Sequence, residues 1–230
     1  MNWVWIGANA GLIWGRVLEH VALAAPPIVI GFVVSIPLGY VASRSRVARG
    51  ILLTTGNILF TIPSIALLVL LPAALGLAII DPSNVIIALT IYALAIMVRS
   101  AADAFASVPA DVRQSATAIG FSRLQRFVRV ELPLAGPVLL AGVRVVSVST
   151  VSLVTIGAVI GIDSLGSFFT DAFQRQFLTE AIVGIVCVLA IAAVFDLVLS
   201  LIGRLLMPWR PRTAAPRPLW MRTPPTVGVG

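Results

Sequence analysis

Residues 107–137 read SVPADVRQSATAIGFSRLQRFVRVELPLAGP and form the one long polar connection between apolar stretches of this chain. Gly120 is suited to the position just after a helix where the backbone turns left-handed, so a first helix is predicted to end there. Ser122 and Gln125 have the spacing of a capping box, so a second helix is predicted to begin there. Pro133 is expected to mark the entry into the next apolar stretch. The segment therefore predicts two short helices joined at a glycine, although an ordinary amphipathic connector would have a similar pattern.

The composition around this segment is that of a membrane protein. Apolar residues make up 59% of the 230 residues and charged residues only 11%, whereas about 25% are charged in a typical soluble domain. All 16 basic residues are Arg, which excludes a P-loop because its Lys must reach the nucleotide phosphates. The single Cys and the single His exclude an internal disulfide and a two-His metal centre. We therefore expect no catalytic residues, no metal site and no ATP hydrolysis by this chain alone.

Five apolar stretches approach or exceed the roughly 20 residues that a helix needs to cross a membrane. They cover residues 21–42, 51–75, 85–98, 137–162 and 178–206, of which the third is short and is expected to extend at both ends. Thirteen of the 16 Arg lie on one side of these stretches. The positive-inside rule then places the N-terminus outside and the C-terminus in the cytosol. The sequence thus predicts an all-α polytopic membrane protein with five transmembrane helices, and the topology explains the basic charge without nucleic-acid binding.

The chain ends differ from the apolar middle. Residues 1–20 have apolar side chains at helical spacing with Trp anchors, which predicts a short helix on the outer membrane face. Residues 207–230 contain six Pro and four Arg and are predicted to be a disordered cytosolic tail. The transmembrane domain is therefore expected to cover residues 21–206, with its cytosolic loop at residues 101–136.

The loop resembles the EAA-x3-G-x9-I-x-LP signature of ABC-importer permeases. The spacing fits at every motif position, while Gln replaces Glu, Ser replaces the first Ala and Val replaces Ile. The positions carried over from the motif are Gln114, Ser115, Ala116, Gly120, Leu132 and Pro133. The resemblance implies a type I ABC importer permease fold in which these residues belong to coupling helices that contact an ATPase.

Two further stretches resemble one branch of that family. Residues 57–68, NILFTIPSIALL, and residues 130–144, VELPLAGPVLLAGVR, are similar to stretches of the glycine betaine/carnitine/choline permeases. The chain departs from that branch at Phe60, where Gln is usual, and at residues 161–166, GIDSLG. The resemblance implies ATP-driven import of osmoprotectants. An amino acid or a polyamine is the alternative substrate, and a secondary transporter is the alternative class.

The family also implies partners and cofactors. A cytosolic ABC ATPase dimer would bind ATP and Mg, so that no cofactor would be bound by this chain. A second permease chain, identical or homologous, and an extracytoplasmic substrate-binding protein would complete the importer in the lipid bilayer.

Polar residues inside the predicted spans are candidates for function. The candidate pathway lining is Asn57, Phe60, Thr61, Ser64, Ser147 and Thr150. Their hydroxyls could instead bond to carbonyls of their own helices. Arg144 and Asp196 have opposite charges at matching depth, which predicts an intramembrane ion pair. The alternative is that Arg144 extends to the inner surface while Asp196 bonds a neighbouring hydroxyl.

Overall fold

The structure, a computed structural model, describes residues 1–209, and every regular element in that range is a helix. The α-helices are α1 Trp3–Ala8, α2 Ala10–Arg44, α3 Arg46–Thr61, α4 Ser64–Leu75, α5 Pro82–Ala106, α6 Ala110–Ala118, α7 Arg123–Arg126, α8 Leu132–Val154, α9 Ser167–Arg175 and α10 Leu178–Leu206. A π-helical turn, Phe127–Glu131, joins α7 to α8, and a 3-10 turn, Thr155–Ile160, follows α8. The all-α prediction is confirmed for this part of the chain.

Four helical runs in the described range are long and apolar enough to cross a membrane by themselves. They are α2, α5, the continuous run Arg123–Ile160 and α10. A fifth candidate is the pair α3 and α4, which meets the criterion only when the two helices are taken together and is bent by 102°. The candidate spans therefore number four, or five if the bent pair crosses as one. The orientation of the spans stays a prediction.

The bend between α3 and α4 divides the span predicted over residues 51–75 into two helices. Ile62 has the extended conformation φ −64°, ψ 127°, and α4 begins immediately after Pro63. Proline has no amide hydrogen and disfavours helical geometry in the residue before it. An average over apolar residues does not register such a break, because Pro63 lies within a run that is apolar on both sides.

The first membrane helix also differs from the prediction. α2 has 35 residues, a length of about 52 Å at 1.5 Å per residue, which exceeds the roughly 30 Å of the hydrocarbon core. The helix boundary that the sequence suggested at residue 20 is wrong, because the break lies at Asn9. Trp5 of α1 packs edge-on against Phe168 and Phe177, with ring centroids 6.4 and 5.6 Å apart.

The prediction of a disordered tail covers residues 207–230, and residues 210–230 lie outside the described range. Within that range Met207 is only 9% exposed. The packed part of the chain therefore extends past residue 206.

The core lies where α2, α5 and α8 meet, and small residues allow these helices to approach closely. A Cβ atom at Gly31 of α2 would lie 2.7 Å from the Cβ of Ala93 in α5. A Cβ atom at Gly142 of α8 would lie 2.6 Å from the Cβ of Ser100, also in α5. The close contact fixes the positions of α2 and α8 relative to α5.

Candidate coupling loop and transport pathway

The loop between α5 and α8 has the elbow that the sequence predicts. α6 is followed by Gly120 with φ 92°, in the left-handed region. The Ser122 hydroxyl accepts a hydrogen bond from the Gln125 amide at 3.3 Å, and the Gln125 side-chain oxygen accepts one from the Ser122 amide at 2.9 Å. The glycine elbow and the capping box are confirmed.

The second helix of the loop continues without interruption into the apolar helix α8, which begins beside Pro133 as expected. The amide of Leu132 donates to the Phe127 carbonyl, five residues earlier, and this π-type bond joins the loop helix to α8. Pro133 is the second residue of α8, and having no amide hydrogen it cannot donate to a carbonyl of the preceding turn. α7 and α8 are thus parts of one continuous helical rod.

The six motif positions differ in exposure. Gln114, Ser115 and Gly120 are exposed, while Ala116 is buried. Leu132 and Pro133 are half-buried at the start of α8. The elbow is flanked by two exposed apolar side chains, Ile119 at 74% and Leu124 at 71% exposure. The loop therefore presents both polar and apolar groups to a partner surface.

A buried carboxylate anchors the loop to the first membrane helix. Glu131 is 0% exposed, and each of its oxygens bonds a guanidinium group. Arg126 donates from Nε to Oε1 at 2.9 Å, and Arg44, at the end of α2, donates from Nη2 to Oε2. Arg126 also donates from Nη1 to the Thr117 hydroxyl at 2.8 Å, which ties α6 into the same network.

Sequence reasoning missed Glu131, although a signal was present. It is the one acid among residues 112–162, in a loop rich in Arg. An aromatic cluster supports the same junction: the Tyr40 ring centroid lies 4.8 Å from that of Phe127 and 5.5 Å from that of Phe105. The junction thus joins α2, α5 and the π-helical turn through both charge and apolar packing.

The structure divides the candidate pathway residues into two groups. Asn57, Phe60, Thr61 and Ser64 lie together at the α3–α4 bend, with the first three exposed. Ser147 and Thr150 lie on α8 and are buried, at 0% and 3% exposure. The two groups therefore do not share one surface of this chain.

Two residues that the sequence did not single out complete the group at the bend. The Tyr92 hydroxyl donates to the Ile62 carbonyl at 2.6 Å, and its ring lies edge-on to Phe60 with centroids 5.7 Å apart. Arg99 donates from Nη2 to the Asn57 side-chain oxygen at 3.1 Å. Tyr92 and Arg99 are seven positions apart on α5, a spacing that places both on the same helix face.

Arg144 and Asp196 form a two-bond ion pair between α8 and α10. Arg144 donates from Nε to Oδ1 at 2.6 Å and from Nη2 to Oδ2 at 2.7 Å. The side chains are 42% and 37% exposed, so the pair lies at the surface of the single chain. Within residues 1–209, no three or more His, Cys, Asp or Glu side chains lie close enough to hold a metal ion.

Comparison with known proteins gives one family match. The family described as "Binding-protein-dependent transport system inner membrane component" matches residues 28–210. The choline transport system permease protein OpuBB of Bacillus subtilis (strain 168) is 29% identical over 203 residues, which cover 87% of this chain and 91% of that protein. The osmoprotectant import permease protein OsmW of Salmonella typhimurium (strain LT2) is 29% identical, and the alignment covers 87% of this chain and 94% of that protein.

Solved structures establish the fold. The MetNI methionine ABC transporter in an inward-facing conformation has a chain with TM-score 0.69 and 22% identity, covering 88% of this chain and 97% of that one. An amino acid ABC transporter has a chain with TM-score 0.69 and 15% identity, covering 91% of this chain and 99% of that one. At these identities the likeness concerns the fold alone. It confirms the predicted type I ABC importer permease fold.

Proposed function

Since the chain belongs to the family of binding-protein-dependent transport system inner membrane components, we propose that its cargo is an osmoprotectant of the glycine betaine, choline or carnitine type. As a member of that family it is a multi-pass membrane protein and the permease subunit of an ABC importer. The observation that carries the cargo assignment is the similarity, over 87% of the chain, to permeases named for choline and osmoprotectant import.

The proposed coupling mechanism follows from the continuous rod of α7 and α8. The ATPase dimer binds ATP and Mg and hydrolyses ATP on its own chains, and its closure moves the elbow around Gly120. Gln114, Ser115 and Ala116 contact the ATPase, while Leu132 and Pro133 carry the movement into α8. The bond from Arg44 to buried Glu131 makes the end of α2 follow the same movement. The membrane helices then exchange between inward-open and outward-open arrangements.

The proposed assembly includes a second permease chain, identical or homologous, and an extracytoplasmic binding protein that delivers the cargo. The Arg-rich connectors support an outside N-terminus and a cytosolic C-terminus. A reporter that is active only in the cytosol, fused after residue 230, should be active, and the same reporter inserted beside Ser167 should be silent. The reverse pattern would contradict this orientation.

The cargo is tested with the complete importer. The permease is co-purified with its partner ATPase and binding protein and reconstituted into proteoliposomes. We expect ATP-dependent uptake of labelled glycine betaine or choline, and none when the ATPase carries an inactivating substitution. Uptake of an amino acid or polyamine in place of both quaternary amines would refute the proposed cargo while leaving the importer class intact.

A further inference from the structure

α3 carries an exposed polar face within the bent pair that would cross the membrane. None of its 16 residues is buried, and its exposed polar residues are Arg46, Thr54, Thr55, Asn57 and Thr61. Arg99, beside it on α5, is exposed as well, seven residues before the end of that helix. Charged side chains at membrane depth are costly in lipid and usually face water or protein. This face is therefore suited to the water-filled side of the permease rather than to the lipid.

Arg99 has donors to spare at this face. The one hydrogen bond from its side chain to another described residue runs from Nη2 to the Asn57 side-chain oxygen at 3.1 Å. A guanidinium group has five N–H donors in a planar fork that matches a carboxylate. Asn57 thus orients the guanidinium and leaves most of its donors for a ligand.

Phe60 adds an aromatic surface next to that guanidinium group. Its side chain is 51% exposed, and its ring is supported edge-on by Tyr92, which is only 4% exposed. The Tyr92 hydroxyl is itself fixed by its 2.6 Å bond to the Ile62 carbonyl. Phe60 follows Asn57 by three residues, a rise of about 4.5 Å along the helix. Phe60 therefore lies one turn along α3 from Asn57, the residue that holds the guanidinium group of Arg99.

We propose that Arg99 and Phe60 form a binding subsite for a short zwitterion that carries a carboxylate and a quaternary ammonium group. The carboxylate accepts hydrogen bonds from Arg99, and the ammonium group lies against the ring of Phe60. The subsite rests on the proposed function, because it assumes that the cargo is an osmoprotectant. Choline has the ammonium group without the carboxylate, so it would use only Phe60 and would be repelled by Arg99.

The test compares two substrates in the same preparation. The complete importer, with saturating binding protein, is reconstituted in proteoliposomes, and the rates of glycine betaine and choline uptake are measured. For Arg99→Gln we expect the ratio of glycine betaine to choline uptake to fall about tenfold, which corresponds to 1.4 kcal/mol. Because both rates come from the same vesicles, the amount of folded protein does not affect the ratio. Phe60→Leu should lower both rates.

Arg49→Gln is the matched control. Arg49 also joins α3 to α5, through a 2.6 Å bond to Asp103, but it lies near the start of α3. The ratio of glycine betaine to choline uptake in Arg49→Gln should equal that of the unmodified importer. An unchanged ratio in Arg99→Gln, or an equal fall in Arg49→Gln, would overturn the subsite. If the unmodified importer takes up neither substrate, the proposed function fails and not the subsite alone.

Discussion

Replacing Glu131 with Gln should uncouple the permease from its ATPase, because it removes the charge that holds α2 to the coupling loop. The carboxylate is 0% exposed and receives bonds from Arg44 and Arg126. Gln can accept a bond from one guanidinium group, but its amide group then faces the donors of the other. Two like charges are left against a neutral side chain.

The size of this effect follows from the burial of the three groups. Removing one partner of a fully buried ion pair costs about 3–5 kcal/mol. The side chains of Arg44 and Arg126 are 32% and 20% exposed, so both can regain contact with water. We therefore expect a loss of about 2–3 kcal/mol at this junction, less than the fully buried value. That loss is enough to release α2 from the loop, while the continuous rod of α7 and α8 remains.

The assay is ATP hydrolysis by the reconstituted importer with and without loaded binding protein. Glu131→Gln should retain basal hydrolysis and lose most of the stimulation. The matched control is Glu180→Gln, which changes another buried glutamate, 3% exposed, at the start of α10. Its nearest ion-pair partner, Arg175, is 3.7 Å away, and stimulation should persist. Full stimulation in Glu131→Gln would refute the role of this junction in coupling.

Two further predictions concern the elbow and the intramembrane pair. Gly120→Val should insert normally but lose stimulation by loaded binding protein. A β-branched residue at φ 92° is strained by about 1–3 kcal/mol, and a Cβ there would meet no atom within 4 Å, so the effect is one of conformation and not of space. Gly120→Asn should retain more stimulation because Asn tolerates left-handed backbone better, and equal activity of the two variants would contradict the argument. For Arg144→Met and Asp196→Leu, folded yield after detergent extraction should fall more in each single variant than in the double variant, because each single change leaves one charge without its partner; strictly additive losses would reject the pairing.

The local signals of the loop were readable in the sequence because they act over a few residues. Gly120 and the Ser122–Gln125 capping box each depend on backbone geometry within one turn. The bend at Pro63 is equally local, but a hydropathy average records how apolar a stretch is and not the direction of its axis. The continuation of α2 back to Ala10 was hidden for another reason: polar residues near its outer end interrupt the apolar run without interrupting the helix.

The missed site residues depend on contacts between distant parts of the chain. Glu131 and Arg44 are 87 positions apart, Arg99 and Asn57 are 42 apart, and Tyr92 and Ile62 are 30 apart. Such pairs become visible only when the order of the helices around α5 is known. Arg144 and Asp196 are 52 positions apart, yet they were found from sequence because opposite charges at equal depth in two apolar helices have few other partners.

The kinds of contact also indicate where the permease can rearrange. α2 is fixed to neighbouring elements at two places: by Glu131 at its C-terminal end and, in its N-terminal third, by a 2.9 Å hydrogen bond between His20 Nε2 and the Val151 carbonyl of α8. Both contacts involve a fully buried side chain, and breaking them would leave a polar group unpaired in the interior. α3, by contrast, has no buried residue, and its ion pair to α5, Arg49 with Asp103, is exposed. Exposed pairs contribute only about 0–1 kcal/mol each. α3 is therefore held to its neighbours by weaker polar contacts than α2 is, and Asn57 and Phe60 lie on α3.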